Sequence, residues 1–190
     1  FQRVKPWLEE GVIGDPRLVG WLFAKPASDL DRSGGANWRT DPAVAPGGYF
    51  DDLASHGLDL ITYLLGDVRA ATGLSTNQQR LYRAKDAVTG SWLHENGVVG
   101  SGSWTFGARE RLDRVEILGR EGEISFSVFG EVPLTLRGRR SEEVLIENPK
   151  HIQACHVLNM QRHLAGEAAH PSTGESAAHT AWVMDKILGL

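Results

Sequence analysis

The spacing of hydrophobic residues predicts a helix, a strand, a long loop and a second helix in the first third of the chain. Residues 1–10 place apolar side chains at helical intervals, and Arg17–Ala24 is dense in apolar and aromatic residues, as strands are. Pro26–Gly48 is rich in Ser, Gly, Asp, Asn and Pro without periodicity, and a loop of this length is usually functional or disordered. Gly47–Leu65 has the pattern of one amphipathic helix, which Gly66 ends.

After that helix the hydrophobic period changes to two, which is the period of a strand. Asn96-Gly97 is a strong hairpin signal, because these residues accept the positive φ angles of a two-residue turn. Strands joined by tight turns, with no helices between them, pair antiparallel. The predicted strands are Val68–Thr76, Ala87–Glu95, Val98–Phe106, Arg111–Leu118, Glu123–Phe129, Pro133–Leu136 and Glu143–Ile146.

Two predicted helices follow, Lys150–Ala165 and Thr173–Leu188, and Thr173 with Ser176 can cap the second. The order of elements predicts an α+β fold, with an open, mainly antiparallel sheet of about six or more strands and helices covering one face. The chain has 190 residues, 41% hydrophobic and 23% charged, which suits a single globular domain over 1–190.

Charge and cysteine content exclude some classes of protein. A net charge of −4 gives no reason to expect binding to nucleic acid or to acidic membranes. No apolar run approaches the ~20 residues that cross a bilayer, and no signal peptide is recognisable. The single cysteine, Cys155, fits a reducing, cytoplasmic compartment. Cys155 lies in a predicted helix, so we expect a small buried core residue.

The helix after Gly47-Gly48 carries the clearest candidate chemistry. At about 100° per residue, Asp52, His56, Asp59 and Tyr63 lie within roughly 60° of one another. A histidine between two carboxylates can act as a general acid or base near neutral pH. The same pattern also occurs on an ordinary solvated helix face, and the spacing alone leaves both interpretations open.

Other motifs predict little. There is no G-x-G-x-x-G after a strand and no phosphate-binding G-x-x-x-x-G-K, so no cofactor-binding residue is assigned. His151, His156 and His163 lie in one predicted helix without neighbouring carboxylates or cysteines, and no metal site is expected.

The chain resembles the C-terminal domain of the glucose–fructose oxidoreductase/inositol dehydrogenase/MocA (Gfo/Idh/MocA) family. The resemblance rests on Trp38-Arg39 and on Gly47-Gly48 followed by D-x-x-x-H-x-x-D, with the same spacing, and it extends in order over nearly the whole chain. Members of this family are two-domain, NAD(P)-dependent oxidoreductases that act mostly on sugars and polyols. The resemblance therefore implies a substrate-binding and oligomerising domain.

The resemblance also implies roles for individual residues. His56 would remove the proton of a substrate hydroxyl while hydride passes to the nicotinamide of NAD or NADP. Asp52 would orient that imidazole, and Asp59 would accept hydrogen bonds from a sugar or polyol substrate. Trp38 and Arg39, from the loop before the helix, would contribute to substrate binding.

Two family features are absent from these residues. The first is the N-terminal Rossmann domain, so the chain alone is not expected to bind the dinucleotide or to be active. The second is the Glu-Lys-Pro motif, which supplies a lysine to the catalytic group. Ala24-Lys25-Pro26 is similar to it, but follows the first strand of this domain, so we interpret the similarity as coincidental.

Other hypotheses remain open at this point. The same fold could serve as a non-catalytic binding or assembly module, although the intact Asp-His-Asp row argues against loss of chemistry. It could also belong to an NAD-dependent glycosidase or lyase. We further expect a homodimer or higher oligomer through the uncovered sheet face, because the strands carry more apolar residues than one helical layer needs. Those residues are Val98, Trp104, Val115, Ile117 and Ile124.

Overall fold

The computed structural model describes all 190 residues and contains one eight-stranded sheet and five α-helices. The helices are α1 (Val4–Glu9), α2 (Asp29–Arg32), α3 (Tyr49–Leu65), α4 (Ala154–Leu164) and α5 (Gly174–Leu188). The strands are β1 (Pro16–Ala24), β2 (Val68–Thr76), β3 (Ala87–His94), β4 (Val99–Thr105), β5 (Leu112–Gly119), β6 (Glu123–Phe126), β7 (Leu134–Arg137) and β8 (Ser141–Val144). The predicted α+β class is confirmed, as is the mainly antiparallel sheet.

The first strand occupies the middle of the sheet, whose order is β2-β3-β4-β1-β5-β6-β7-β8. β1 pairs parallel with β4 and antiparallel with β5, so the sheet contains one parallel pair among its antiparallel ones. Parallel neighbours need a long crossover connection. The segment between β1 and β4 supplies it, because it contains the long loop, α3 and the β2–β3 hairpin.

The covered face of the sheet is packed by α3 and α5, which lie side by side. Gly57 of α3 lies directly on the indole of Trp21, where an added Cβ would stand 2.3 Å from the ring. Phe50, in the first turn of the same helix, meets Trp104 edge-on with ring centroids 4.9 Å apart. These contacts hold the apolar side of α3 close to β1 and β4, so its polar side faces away from the sheet.

The five strand residues predicted to make the uncovered face of the sheet apolar are instead all buried in the core. Val98, Trp104, Val115, Ile117 and Ile124 are buried and belong to one hydrophobic cluster with α3. Alternation places their chain neighbours on the open face instead. That face still carries exposed apolar side chains, at Leu18, Leu22, Leu74, Val99 and Leu112.

Two further expectations are wrong. The segment from Pro26 to Gly48 contains α2, whose capping box is made by Ser28 and Asp31, and a 3₁₀ turn at Trp38–Thr40. Short capped helices of this kind leave no hydrophobic period, which is why the pattern predicted only a loop. Cys155 is exposed, because α4 packs no side chain into the core.

None of the helices is long and apolar enough to span a membrane.

Candidate functional site

Two glycines determine how α3 starts. Gly48 has a φ of 67°, in the region that favours glycine, and a Cβ there would stand 2.3 Å from the carbonyl oxygen of Lys85. Gly47 donates its backbone N–H to a carboxylate oxygen of Asp51 over 2.9 Å. Glycine at position 48 therefore lets the start of α3 lie close to the backbone of Lys85. This contact fixes the direction in which the first turns of α3 present their side chains.

His56 is exposed in the first half of α3. Its ring meets the Phe129 ring edge-on, with centroids 5.7 Å apart, and neither ring nitrogen has a hydrogen-bond partner in the protein. An imidazole held by an apolar contact, with both nitrogens free, can exchange a proton with a bound molecule without first breaking a bond to the protein.

A cavity of about 450 Å³ opens between α3 and α5 beside His56. From α3 it is lined by Asp51, Ser55, His56 and Asp59. From α5 and the preceding loops come Val44, Pro46, Ser172, Ala177, Thr180, Ala181, Met184 and Asp185. The α5 residues follow the spacing of one helix face. A cavity of this size falls within the range of small-molecule sites.

Asp59 and Asp51 occupy different positions within this cavity. Thr180 lies 3.5 Å from a carboxylate oxygen of Asp59, as a weak hydrogen-bond donor from α5. Burial raises the pKa of the Asp51 carboxyl and the nearby Asp185 raises it further, while the N–H of Gly47 opposes the rise. The Asp-His-Asp row in the sequence indicated Asp59 but not Asp51 or Asp185, because neither of these belongs to that row.

Asp52 lies outside the cavity and is paired with a different residue. Its carboxylate accepts a hydrogen bond from Nε of Arg39 over 2.6 Å, and it makes none with His56. The Arg39 guanidinium also lies over the Trp38 ring, 4.5 Å from its centroid. Trp38 itself is 47% exposed, so it does not anchor the loop in the core. The structure thus separates the row into a His56–Asp59 cavity group and an Asp52–Arg39–Trp38 group.

A third group of polar residues lies next to Arg39. The Tyr49 hydroxyl donates to Asp31 over 2.8 Å, and Asn37 donates to both of these residues. The Lys25 ammonium lies 3.7 Å from the centroid of the Tyr49 ring. Burial lowers the pKa of Lys25, and Arg111 and Arg39 lower it further against the opposing effect of Asp31. Nothing in the hydrophobic pattern indicated this group, since its members come from the residue after β1, from α2 and the loop beyond it, and from α3.

The arrangement offers no obvious place for a metal ion or a dinucleotide. No group of three or more His, Cys, Asp or Glu side chains is positioned to hold a metal ion. A dinucleotide pyrophosphate is usually bound at a helix N-terminus. The first turns of the longest helices, α3 and α5, carry Asp51 with Asp52 and Glu175, which would repel it. The site therefore offers groups that can accept hydrogen bonds from hydroxyls and exchange a proton, while the acidic starts of these two helices do not favour a pyrophosphate.

Comparisons with known proteins identify the family of the chain. Residues 1–125 match the model of the GFO/IDH/MocA C-terminal domain. The chain is similar over all its 190 residues to Oxidoreductase P35 of Formosa agariphila, at 33% identity, and covers 59% of that protein. It is 32% identical over 99 residues to D-apiose dehydrogenase of Rhizobium rhizogenes, which is 51% of this chain and 26% of the relative.

A solved structure of levoglucosan dehydrogenase in complex with NADH and levoglucosan has a similar fold. It superposes with a TM-score of 0.79 at 20% identity, over 97% of this chain and 59% of the other. The chain thus spans 59% of the length of Oxidoreductase P35 and 59% of the length of levoglucosan dehydrogenase.

Proposed function

The chain belongs to the Gfo/Idh/MocA family of oxidoreductases, as its C-terminal domain, and on that premise we propose that it is the substrate-binding half of an NAD(P)-dependent dehydrogenase. The proposed substrate is a sugar, a polyol or a related small molecule with a reactive hydroxyl group. The names of the relatives support this class, since they include a D-apiose dehydrogenase and a levoglucosan dehydrogenase crystallised with NADH.

The observation that carries the proposal is the cavity beside His56. Its wall combines an exposed imidazole, free of protein hydrogen bonds, with the Asp59 carboxylate and the hydroxyls of Ser55 and Thr180. A polyol hydroxyl can donate to Asp59 while another hydroxyl points at His56. If α3 presented only a solvated face here, a second helix would not be expected to form the opposite wall of a cavity.

In the proposed reaction His56 accepts the proton of the substrate hydroxyl. A nicotinamide held by a domain outside these residues would accept the hydride from the carbon that bears this hydroxyl, so that a C=O bond would replace the C–H and O–H bonds. Asp52 and Arg39 act as positioning residues, because their ion pair ties the first turn of α3 to the loop that carries Trp38. Asp52 therefore affects His56 through the helix rather than through a direct contact.

Kinetics of His56→Asn test this assignment in the enzyme that joins this chain to a dinucleotide-binding domain. Asparagine keeps a similar shape but cannot act as the base, so kcat is expected to fall by ~10²–10⁴-fold with little change in KM. Tyr63→Phe is the matched control, because Tyr63 lies on the same side of α3 but outside the cavity. Wild-type kcat in His56→Asn would overturn the assignment and favour a non-catalytic binding module.

The dinucleotide belongs, in this proposal, to a Rossmann domain that residues 1–190 do not include. The acidic first turns of α3 and α5 support the assignment of dinucleotide binding to another domain. The 59% coverage of Oxidoreductase P35 leaves room for such a domain in the relative. The exposed thiol of Cys155 is compatible with a reducing, cytoplasmic location.

We propose the open sheet face as the site of self-association. Leu18, Leu22, Leu74, Val99 and Leu112 lie on neighbouring strands there, among small polar residues that permit close approach. Leu22→Arg is expected to give a monomer in sedimentation at tens of micromolar, where the wild type is a dimer or larger. Val157→Arg, on the exposed surface of α4, should leave the oligomer intact. A monomeric wild type would contradict the proposal.

A further inference from the structure

The charged side chains around the His56 cavity are unevenly distributed. Asp51, Asp59 and Asp185 line it, and no lysine or arginine does. Elsewhere the acids of this chain commonly have arginine partners, as Asp52 has Arg39. The three cavity carboxylates have none: Asp51 is bonded to a backbone N–H, Asp59 only to Thr180, and the Asp185 carboxylate to no side chain. The negative charge of the cavity is therefore uncompensated by the protein.

The basic residues nearby do not provide that compensation. Arg39 is occupied by Asp52, and Lys25 lies over the Tyr49 ring. The Arg111 guanidinium lies over the rings of Phe23 and Phe129. None of the three cations lines the cavity. A molecule in the cavity therefore meets carboxylates, but no lysine or arginine, on its walls.

We propose that Asp51 and Asp185 determine the charge of the substrate, so that the cavity accepts neutral or amino-bearing sugars and rejects sugar acids and sugar phosphates. This inference rests on the proposed function of the cavity as a sugar site. Carboxylates accept hydrogen bonds from the hydroxyls of a neutral sugar and pair with an ammonium group. A carboxylate or phosphate on the ligand would meet the like charges of these carboxylates in the same cavity, and the repulsion would oppose its binding.

The position of the two residues suits this role. Asp51 comes from the first turn of α3 and Asp185 from α5, and both helices supply walls of the cavity. The two carboxylates line the same cavity and are close enough that Asp185 raises the pKa of the Asp51 carboxyl, so the two charges repel one another. A cation or a hydroxyl donor placed there relieves that repulsion, and an anion increases it.

The test is binding, measured on the 190-residue chain by NMR titration with three sugars of one ring shape. D-glucosamine, D-glucose and D-glucuronate differ chiefly in charge, and the galactose series repeats the comparison with another stereochemistry. The expected order of affinity is amino sugar, then neutral sugar, then uronate, with at least about tenfold between the extremes. Raising the salt concentration should reduce that ratio.

Asp51→Asn and Asp185→Asn should each reduce the preference for the amino sugar over the uronate by about threefold or more. Asparagine keeps the shape and the acceptor oxygen, so the bond from Gly47 can persist in the first variant. Glu175→Gln is the control, since it removes the same charge from α5 without lining the cavity.

The inference is overturned if the uronate binds as well as the amino sugar, if the two asparagine variants keep the wild-type preference, or if no sugar binds at tens of millimolar. Because the readout is binding, it is independent of hydride transfer. Failure of His56→Asn to lower kcat would end the catalytic assignment and leave the charge preference intact. A reversed charge preference would leave the role of His56 intact.

Discussion

Two histidines near the helix α3 show opposite environments. His56, in its first half, is exposed, touches Phe129 and has no hydrogen bond. His94, in β3 at the other end of the helix, is fully buried. It accepts a hydrogen bond from the Trp92 indole over 3.0 Å, and its second nitrogen lies 2.6 Å from the carbonyl oxygen of Gly66. The bond from Trp92 leaves the other nitrogen to donate to Gly66, which fixes one neutral tautomer.

The difference separates a histidine that holds the fold from one that is available for chemistry. His94 uses one nitrogen to attach the end of α3 to the sheet and the other to accept from Trp92 of its own strand, so nothing remains for a ligand. His56 uses neither, and it lines an open cavity between two helices. Burial and bonding, rather than residue type, decide which of the two can act as a base.

The largest effect is expected from removing His94. His94→Ala leaves the buried N–H of Trp92 without a partner and opens a cavity, so the free energy of unfolding should fall by about 2–3 kcal/mol. His56→Ala should change it by less than about 0.5 kcal/mol, because that side chain is exposed. Urea denaturation of both variants measures the contrast. Equal losses of stability would show that the two sites do not differ as described.

A second variant tests the inner side of the helix, one residue beyond His56. Gly57→Ala places a Cβ about 2.3 Å from the Trp21 ring, so α3 must move away from β1. Overpacking of this kind should cost about 1–3 kcal/mol. Gly20→Ala is the control, since it neighbours Trp21 in β1 and its Cβ would meet no atom within 4 Å. A Gly57→Ala variant as stable as the control would contradict this close contact.

The smallest effect expected is the pH dependence that His94 imposes. Burial lowers the pKa of His94 from the ordinary 6.5, and the neighbouring His179 lowers it further, against the carbonyl of Gly66. The unfolded chain then binds more protons below about pH 6.5 than the native state does. Stability should therefore be complete above that pH and decrease as the pH falls below it.

Thermal unfolding between pH 7.5 and 5 measures this dependence. His94→Gln, which cannot be protonated, should have a lower Tm at neutral pH and a flatter profile. His56→Gln should keep the wild-type dependence of Tm on pH, because that side chain is exposed. An unchanged slope in His94→Gln would assign the acid sensitivity to another group.

Several features of the fold follow from local sequence alone. The amphipathic pattern of α3 and the glycines at its two ends predicted that helix within two residues. Asn96-Gly97 predicted the β3–β4 hairpin, although its turn is not of the expected type, since only Gly97 of the two residues has a positive φ. Thr173 with Ser176 forms the predicted cap of α5. Each of these depends on neighbouring residues, whose spacing and backbone preferences are visible in one segment. The same holds for the motif that placed His56 and Asp59 on one side of α3.

Other features depend on residues far apart in the chain, and only the tertiary structure decided them. The central place of β1 comes from pairing with β4 and β5, about eighty and ninety-five residues later. Asp52 pairs with Arg39 rather than His56 because the loop folds back over the first turn of α3. Asp185 reaches the cavity because α5 packs beside α3. Helical periodicity gives a side chain its direction from its own helix, but packing between distant elements determines what it meets there.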